Sequence, residues 1–291
     1  VQLGFWDGGD TVNNGNVGGG SGTWRIGSPG SPNDTWTNSE GGYNATWKPN
    51  QFAMFGGTAG TVTVDNSGGD ISIGGAQFFS DGYVVQGDAL TLGNAHTVIK
   101  VGDGTRSGAS MTATIASQLT GAGGLTKDDY GTLVLTGANN YTGGTVVAAG
   151  VLQGNTTSLQ GEIVNNANVT FDQSIDGTFG GTMSGSGSLR KIGTGDLALA
   201  TANTYAGGTS IDAGSVSASV SGALGTGPVN VNANGYLAFT GNAGAGDLRF
   251  TTAAASPGIN GGAIEFRDDT SAERASFLNY KGGSVTFAGN S

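Results

Sequence analysis

Thirty-two residues of this chain, GAGGLTKDDYGTLVLTGANNYTGGTVVAAGVL at 121–152, return in worn form at 186–217. Leu189, Lys191, Gly195, Leu197, Leu199, Asn203, Tyr205, Gly207, Gly208, Thr209 and Gly214 answer Leu125, Lys127, Gly131, Leu133, Leu135, Asn139, Tyr141, Gly143, Gly144, Thr145 and Gly150, always at an offset of 64. A fixed period held without insertion is the mark of a stacked architecture, in which every unit presents the same edge to its neighbour. Few other folds tolerate it.

Composition narrows the stack to strands. Of 291 residues 58 are glycine, which breaks the 3.6-residue spacing of an amphipathic helix almost everywhere. Short apolar runs alternate instead with Thr, Ser and Asn: TVTV (61–64), ISI (71–73), QFF (77–79), YVV (83–85), LTL (90–92), TVIKV (97–101), TATI (112–115), LVL (133–135), TVV (145–147), EIV (162–164), VTF (169–171) and LAL (197–199). Each predicts a short strand with one buried face, bounded by turns of Gly, Asn and Asp. Towards the amino end, strands are expected at Thr23–Ile26, Ala45–Trp47 and Gln51–Phe55, among loops such as GSPGSPND (27–34).

A second period fixes the size of one turn. YLAF (236–239), AIEF (263–266) and SVTF (284–287) all end in Phe, and the last two lie 21 residues apart, as do Gly262 and Gly283. One turn of a parallel β-helix with three short strands takes on the order of 20 residues, so the 64-residue period holds three rungs, or two longer ones. The expected fold is all-β: a right-handed parallel β-helix (β-solenoid), about three short strands per rung. Its core is a column of Leu, Val, Ile and Phe, and matched residues such as Asn139 and Asn203 are placed to form hydrogen-bonded ladders at turns.

The motif at 121–152 and 186–217 resembles the passenger-associated repeat of bacterial autotransporters, the type V secreted proteins of Gram-negative bacteria. NQFAMFGGTAGTVTVDNSGGDISIGG (50–75) resembles in part the strand-rich segment upstream of that repeat, and FTGNAGAG (239–246) and FRDDTSAE (266–273) resemble later rungs. The likeness covers about 52–291 and the opening FWDGGDTVNNGNVGGGSGTW (5–24). It implies a β-helical passenger carried across the outer membrane by a C-terminal β-barrel of the same polypeptide, and then secreted or held at the cell surface. On that reading the chain is an excised segment that stops before the barrel. Four regions are expected: an irregular aromatic cap or first rungs at 1–55, rungs at 56–120, the repeat-bearing rungs at 121–217, and C-terminal rungs at 218–291.

Chemistry is sparse. A formal charge of −10 argues against nucleic acid, which demands a basic patch. The single histidine, His96, and the absence of a GxSxG elbow argue against a nucleophilic triad. The adjacent acids Asp128–Asp129 and Asp268–Asp269 are poor acid/base couples, because neighbours in a strand face opposite ways, and they are expected as solvated turn residues. With no cysteine and no recurring Asp-bearing nonapeptide, neither metal nor cofactor is expected. The site-like feature is aromatic: Trp6, Trp24, Trp36, Tyr43 and Trp47 either stack on the sugar rings of a ligand or close the amino-terminal end of the solenoid. The chain reads as a non-enzymatic passenger for cell adhesion, aggregation or biofilm. Its partner would be a host or bacterial surface glycan or protein, or a second copy. The alternatives are a polysaccharide-acting enzyme of pectate-lyase type and a plain stem for an upstream effector.

Overall fold

The computed structural model describes residues 2–27 and 34–290. Within the expected loop GSPGSPND, positions 28–33 lie outside the described residues, as do positions 1 and 291. The chain divides into two compact units, 1–152 and 153–291. Each is a parallel β-solenoid, and regular helix among the described residues is confined to two short 3-10 turns, Asn66–Gly68 and Arg106–Ser110.

In the first unit, one sheet runs through Thr145–Val147, Gly124–Asp128, His96–Val101, Ile71–Phe78, Gln51–Phe55 and Leu3–Trp6, and ends in the antiparallel pair with Trp36–Thr37. A second runs through Thr132–Leu135, Thr112–Ile115, Tyr83–Gly87, Thr61–Asp65 and Gly22–Arg25. In the second unit one sheet stacks Asn168–Asp172, Ser188–Ile192, Thr209–Ile211, Val229–Val231, Arg249–Thr252 and Ser276–Asn279. Another stacks Gly177–Phe179, Asp196–Leu199, Gly214–Ala218, Gly235–Phe239, Ala263–Phe266 and Ser284–Phe287. Ile163–Asn165 and Met183–Ser184 pair on the third side.

Register gives the rung length directly. Leu125 lies beside Thr145, Val169 beside Leu189, Leu189 beside Thr209 and Thr209 beside Val229, a step of 20 residues each time. Sixty-four residues therefore correspond to about three rungs. Near the carboxyl end Leu237 faces Ile264 and Phe250 faces Phe277, a step of 27, before Ile264 meets Val285 at 21. The Phe-terminated segments share one column, with Phe239 on Phe266 at 4.6 Å and Phe266 on Phe287 at 4.9 Å, the rings nearly parallel.

Alternation builds the core. Leu133 and Leu135, Leu197 and Leu199, and Val229 and Val231 point inward and are buried, while the residues between them face out. Each such side chain contributes about 1.5–3 kcal/mol relative to leaving it in water.

Two expectations fail locally. Ala45–Trp47 is no strand, because the segment serves to bring Trp47 into the core and only Ala45 bridges to Trp36. ISI and QFF are one strand, Ile71–Phe78, since a bulge at Gly74 is absorbed and Gly75 resumes the pairing. A Cβ on Gly75 would fall 2.5 Å from the ring of Phe52, so glycine is required there for close approach.

Candidate functional site

Two side-chain assemblies stand out: the aromatic cluster near the amino end and a polar set built twice by the repeat. In the first, Trp6, Trp24, Trp36 and Trp47 are 0–2% exposed. Their rings pack on one another, with Trp36–Trp47 centroids at 4.5 Å, Trp24–Trp36 and Trp24–Trp47 at 4.8 Å, and Phe55 closing the group 5.5 Å from Trp36. Of the two readings open for these four tryptophans, stacking on a sugar is corrected accordingly, because all four rings are buried. Gly4 makes room for them, since a Cβ there would lie 3.2 Å from both Trp36 and Trp47. Trp6 Nε1 donates to Gly20 O at 2.8 Å and Trp47 Nε1 to Ser72 O at 3.0 Å.

Tyr43 is different, being 67% exposed. It rides on a loop pair fastened by the buried Asp7, whose Oδ1 accepts from Gly18 N at 2.7 Å and Oδ2 from Asn44 Nδ2 at 3.1 Å. Asn44 N donates to Asn13 Oδ1 at 2.6 Å, and Gly15 N to Gly41 O at 3.0 Å. Buried hydrogen bonds of this kind fix a loop that has no sheet of its own. Beside Tyr43 lies a shallow cavity of about 110 Å³, lined also by Leu3, Trp36, Asn38 and Lys48.

The repeat builds its polar set the same way in both units. Lys127 and Lys191 sit two residues after Leu125 and Leu189, on the inward face, and are fully buried. Lys127 Nζ donates to the backbone oxygens of Asp128, Asp129 and Ala149 at 2.8, 2.7 and 3.0 Å. Lys191 Nζ donates to those of Ile192, Gly193 and Ala213 at 2.9, 2.8 and 3.1 Å. The third acceptor in each set belongs to the following rung, so the ammonium ties successive rungs together. Gly150 and Gly214 complete the cage with φ of +68° and +66°, and a Cβ on either would come within 3 Å of the Nζ. Burial lowers the Lys127 pKa to about 8 against the opposing pull of Asp128 and Asp129, and burial likewise lowers that of Lys191.

The same period repeats two further bonds. Tyr141 Oη lies 2.6 Å from Thr145 Oγ1, and Tyr205 Oη 2.6 Å from Thr209 Oγ1. Burial raises both tyrosine pKa values, so both hydroxyls stay neutral. Asn139 Oδ1 accepts from Leu119 N, and Asn203 Oδ1 from Met183 N, each at 2.7 Å. The expected asparagine ladder is therefore replaced by amides that each cap a backbone donor one rung away.

The remaining candidates are scattered. His96 is exposed at the start of its strand. Asp129 is buried rather than solvated, with φ of +67° and its carboxylate accepting from Gly104 N and Tyr130 N. Asp268, at φ +56°, accepts from Gly241 N, and Asp269 from Asn290 Nδ2. Among the described residues no group of three or more His, Asp or Glu is gathered to hold a metal ion.

A stacked β-solenoid whose rungs are tied by a duplicated Lys–Asn–Tyr–Thr set defines a repeat-bearing solenoid segment. Residues 125–153 and 189–218 match the family described as the passenger-associated-transport-repeat. The chain is also 42% identical over 268 residues to the adhesin BmaC autotransporter of Brucella suis biovar 1 (strain 1330). That alignment covers 81% of this chain and 8% of the relative, so the chain spans a small part of the relative's length. No solved structure matches it. The chain thus carries the passenger-associated-transport repeat twice and is similar over most of its length to part of an autotransporter adhesin, as a passenger segment secreted and displayed on the bacterial outer surface would be.

Proposed function

We propose that this segment is adhesive and works by binding rather than catalysis, engaging a host or bacterial surface glycan or protein, or a second copy. The observation that carries the reading is the 42% identity, over most of the chain, to a protein named as an adhesin. Tyr43 is the aromatic residue proposed for the contact, because it is exposed on a loop pair whose buried hydrogen bonds remove the entropy of ordering it. The repeats at 121–152 and 186–217 serve in this reading as stem and as an aid to translocation. Rung-by-rung stabilisation suits a chain that folds as it emerges.

Beads coated with the purified chain test the reading on epithelial cells and on bacteria. Adherence of the wild-type chain, reduced several-fold in Tyr43→Ala with unchanged circular dichroism, is the expected result. Absence of adherence to either cell type would overturn the adhesive reading, and full adherence of the variant would remove Tyr43 from it. Release of new reducing ends or unsaturated products from an acidic polysaccharide would count against a purely binding role.

A further inference from the structure

In the second unit, three successive turns stack at one corner: 219–228, 240–248 and 267–275, which join the sheet of Gly235–Phe239 to the sheet of Arg249–Thr252. They are hydrogen-bonded to one another, Ala245 N to Ser271 O at 2.9 Å and Arg274 N to Gly246 O at 3.1 Å. Two cavities of about 340 and 380 Å³ open along this corner and meet at Thr226 and Asp247, which line both. Volumes of this size fall in the range of small-ligand sites.

The corner is hollow because its residues are small. At Gly246, with φ of +62°, a Cβ would meet nothing within 4 Å, and at Gly244 it would fall 1.9 Å from Glu273 Oε1. Glycine at 244 thus lets the Glu273 carboxylate lie across the turn. Glu273 itself adopts φ of +50°, a left-handed conformation that is strained for a residue with a side chain.

The charged groups divide into committed and uncommitted ones. Asp247 and Arg274 satisfy each other through two bonds, Nε–Oδ1 at 2.6 Å and Nη2–Oδ2 at 3.0 Å. The Glu273 carboxylate accepts no hydrogen bond from a described residue, although Arg274 lies near enough to feel its charge. Arg249, lining the second cavity, makes no hydrogen bond or ion pair with a described residue. An unpaired guanidinium thus stands at one end and an unpaired carboxylate at the other. Between them lie the hydroxyls of Ser221 and Thr226 and an apolar shelf of Ala245 and Leu248.

We propose that this trough binds an acidic sugar residue. Arg249 takes the sugar carboxylate, for which a planar guanidinium is the matched donor. The ring hydroxyls donate to Glu273 and exchange hydrogen bonds with Ser221 and Thr226, and the apolar ring face rests on Ala245 and Leu248. A neutral sugar leaves Arg249 without its partner. A simple carboxylate leaves the opposite end empty. The site is separate from Tyr43, and its ligand is read out on the isolated chain without reference to cell adherence.

The test is titration of the full 291-residue chain with methyl glucuronide, methyl glucoside and N-acetylglutamate, followed by saturation-transfer NMR and calorimetry. The glucuronide should bind, with the glucoside and N-acetylglutamate at least 10-fold weaker. Arg249→Gln should weaken glucuronide binding at least 10-fold and Glu273→Gln several-fold. Both trough residues are exposed, so the variants keep the fold, and the comparison of ligands on the wild-type chain stands without them. No binding of the glucuronide, equal affinity for the glucoside or for N-acetylglutamate, or full binding by Arg249→Gln would overturn the proposal.

Discussion

Replacing Lys127 by methionine isolates what the caged ammonium does. Methionine keeps the apolar stem and rotamer length but removes three donors, leaving the carbonyls of Asp128, Asp129 and Ala149 without the bonds they now accept at 2.7–3.0 Å. An orphaned buried acceptor costs about 1–3 kcal/mol, and relief from burying a charge offsets part of the total. The expected net loss is about 2 kcal/mol, which for a unit of this size lowers Tm by roughly 4–8 °C. Thermal and urea unfolding by far-UV circular dichroism measures it, and amide exchange at 124–132 locates it. Because the Lys191 cage has the same three-acceptor geometry, Lys191→Met should cost a similar amount in the second unit. A methionine variant as stable as the wild type, or more stable, would refute the argument: the ammonium would then be a tolerated buried charge rather than a tie between rungs.

Two further expectations concern pH and the aromatic core. With the folded-state pKa of Lys127 near 8 and the unfolded value near 10.5, the unfolded chain holds the extra proton between those values. Stability contributed by this residue therefore rises as pH climbs from about 8 towards 10.5. The difference in urea midpoint between wild type and Lys127→Met should grow across that window, and a flat or falling difference would contradict the buried position of the amine. Trp36→Ala removes the ring that touches Trp6, Trp24, Trp47 and Phe55, and should cost about 3–5 kcal/mol. Near-UV circular dichroism should lose its tryptophan bands, and a variant with native bands and midpoint would show that the cluster is not a core.

The rung was legible because its signal is periodic. LTL, TATI, AIEF and SVTF coincide with strands at their exact bounds, and the 21-residue spacing of Phe266 and Phe287 is a true register. The tryptophans were harder to read, since nothing in their spacing distinguishes rings packed on one another from rings presented to a ligand. Only the long excursions between Trp6 and Gln51 decide it, and they lack a period. Lys127 and Lys191 were legible in principle. Each lies two residues from an inward leucine, so strand alternation alone puts the charge inside, but a lysine is ordinarily read as solvated. The trough at Asp247 left no sequence signal beyond a glycine-rich turn, because it arises from three turns that meet only when stacked.

The step of 27 residues between Phe239 and Phe266, followed by one of 21 to Phe287, leaves the ring column unbroken. Phase in this solenoid is therefore kept by the interior, while the perimeter of a turn is free to vary. The added length at 253–262 is held at its tip by the reciprocal bonds of Ser256 and Ile259 around Pro257 and Gly258. A protein built this way can lengthen or exchange such outward excursions one at a time, changing what it shows to its surroundings without re-solving how it folds.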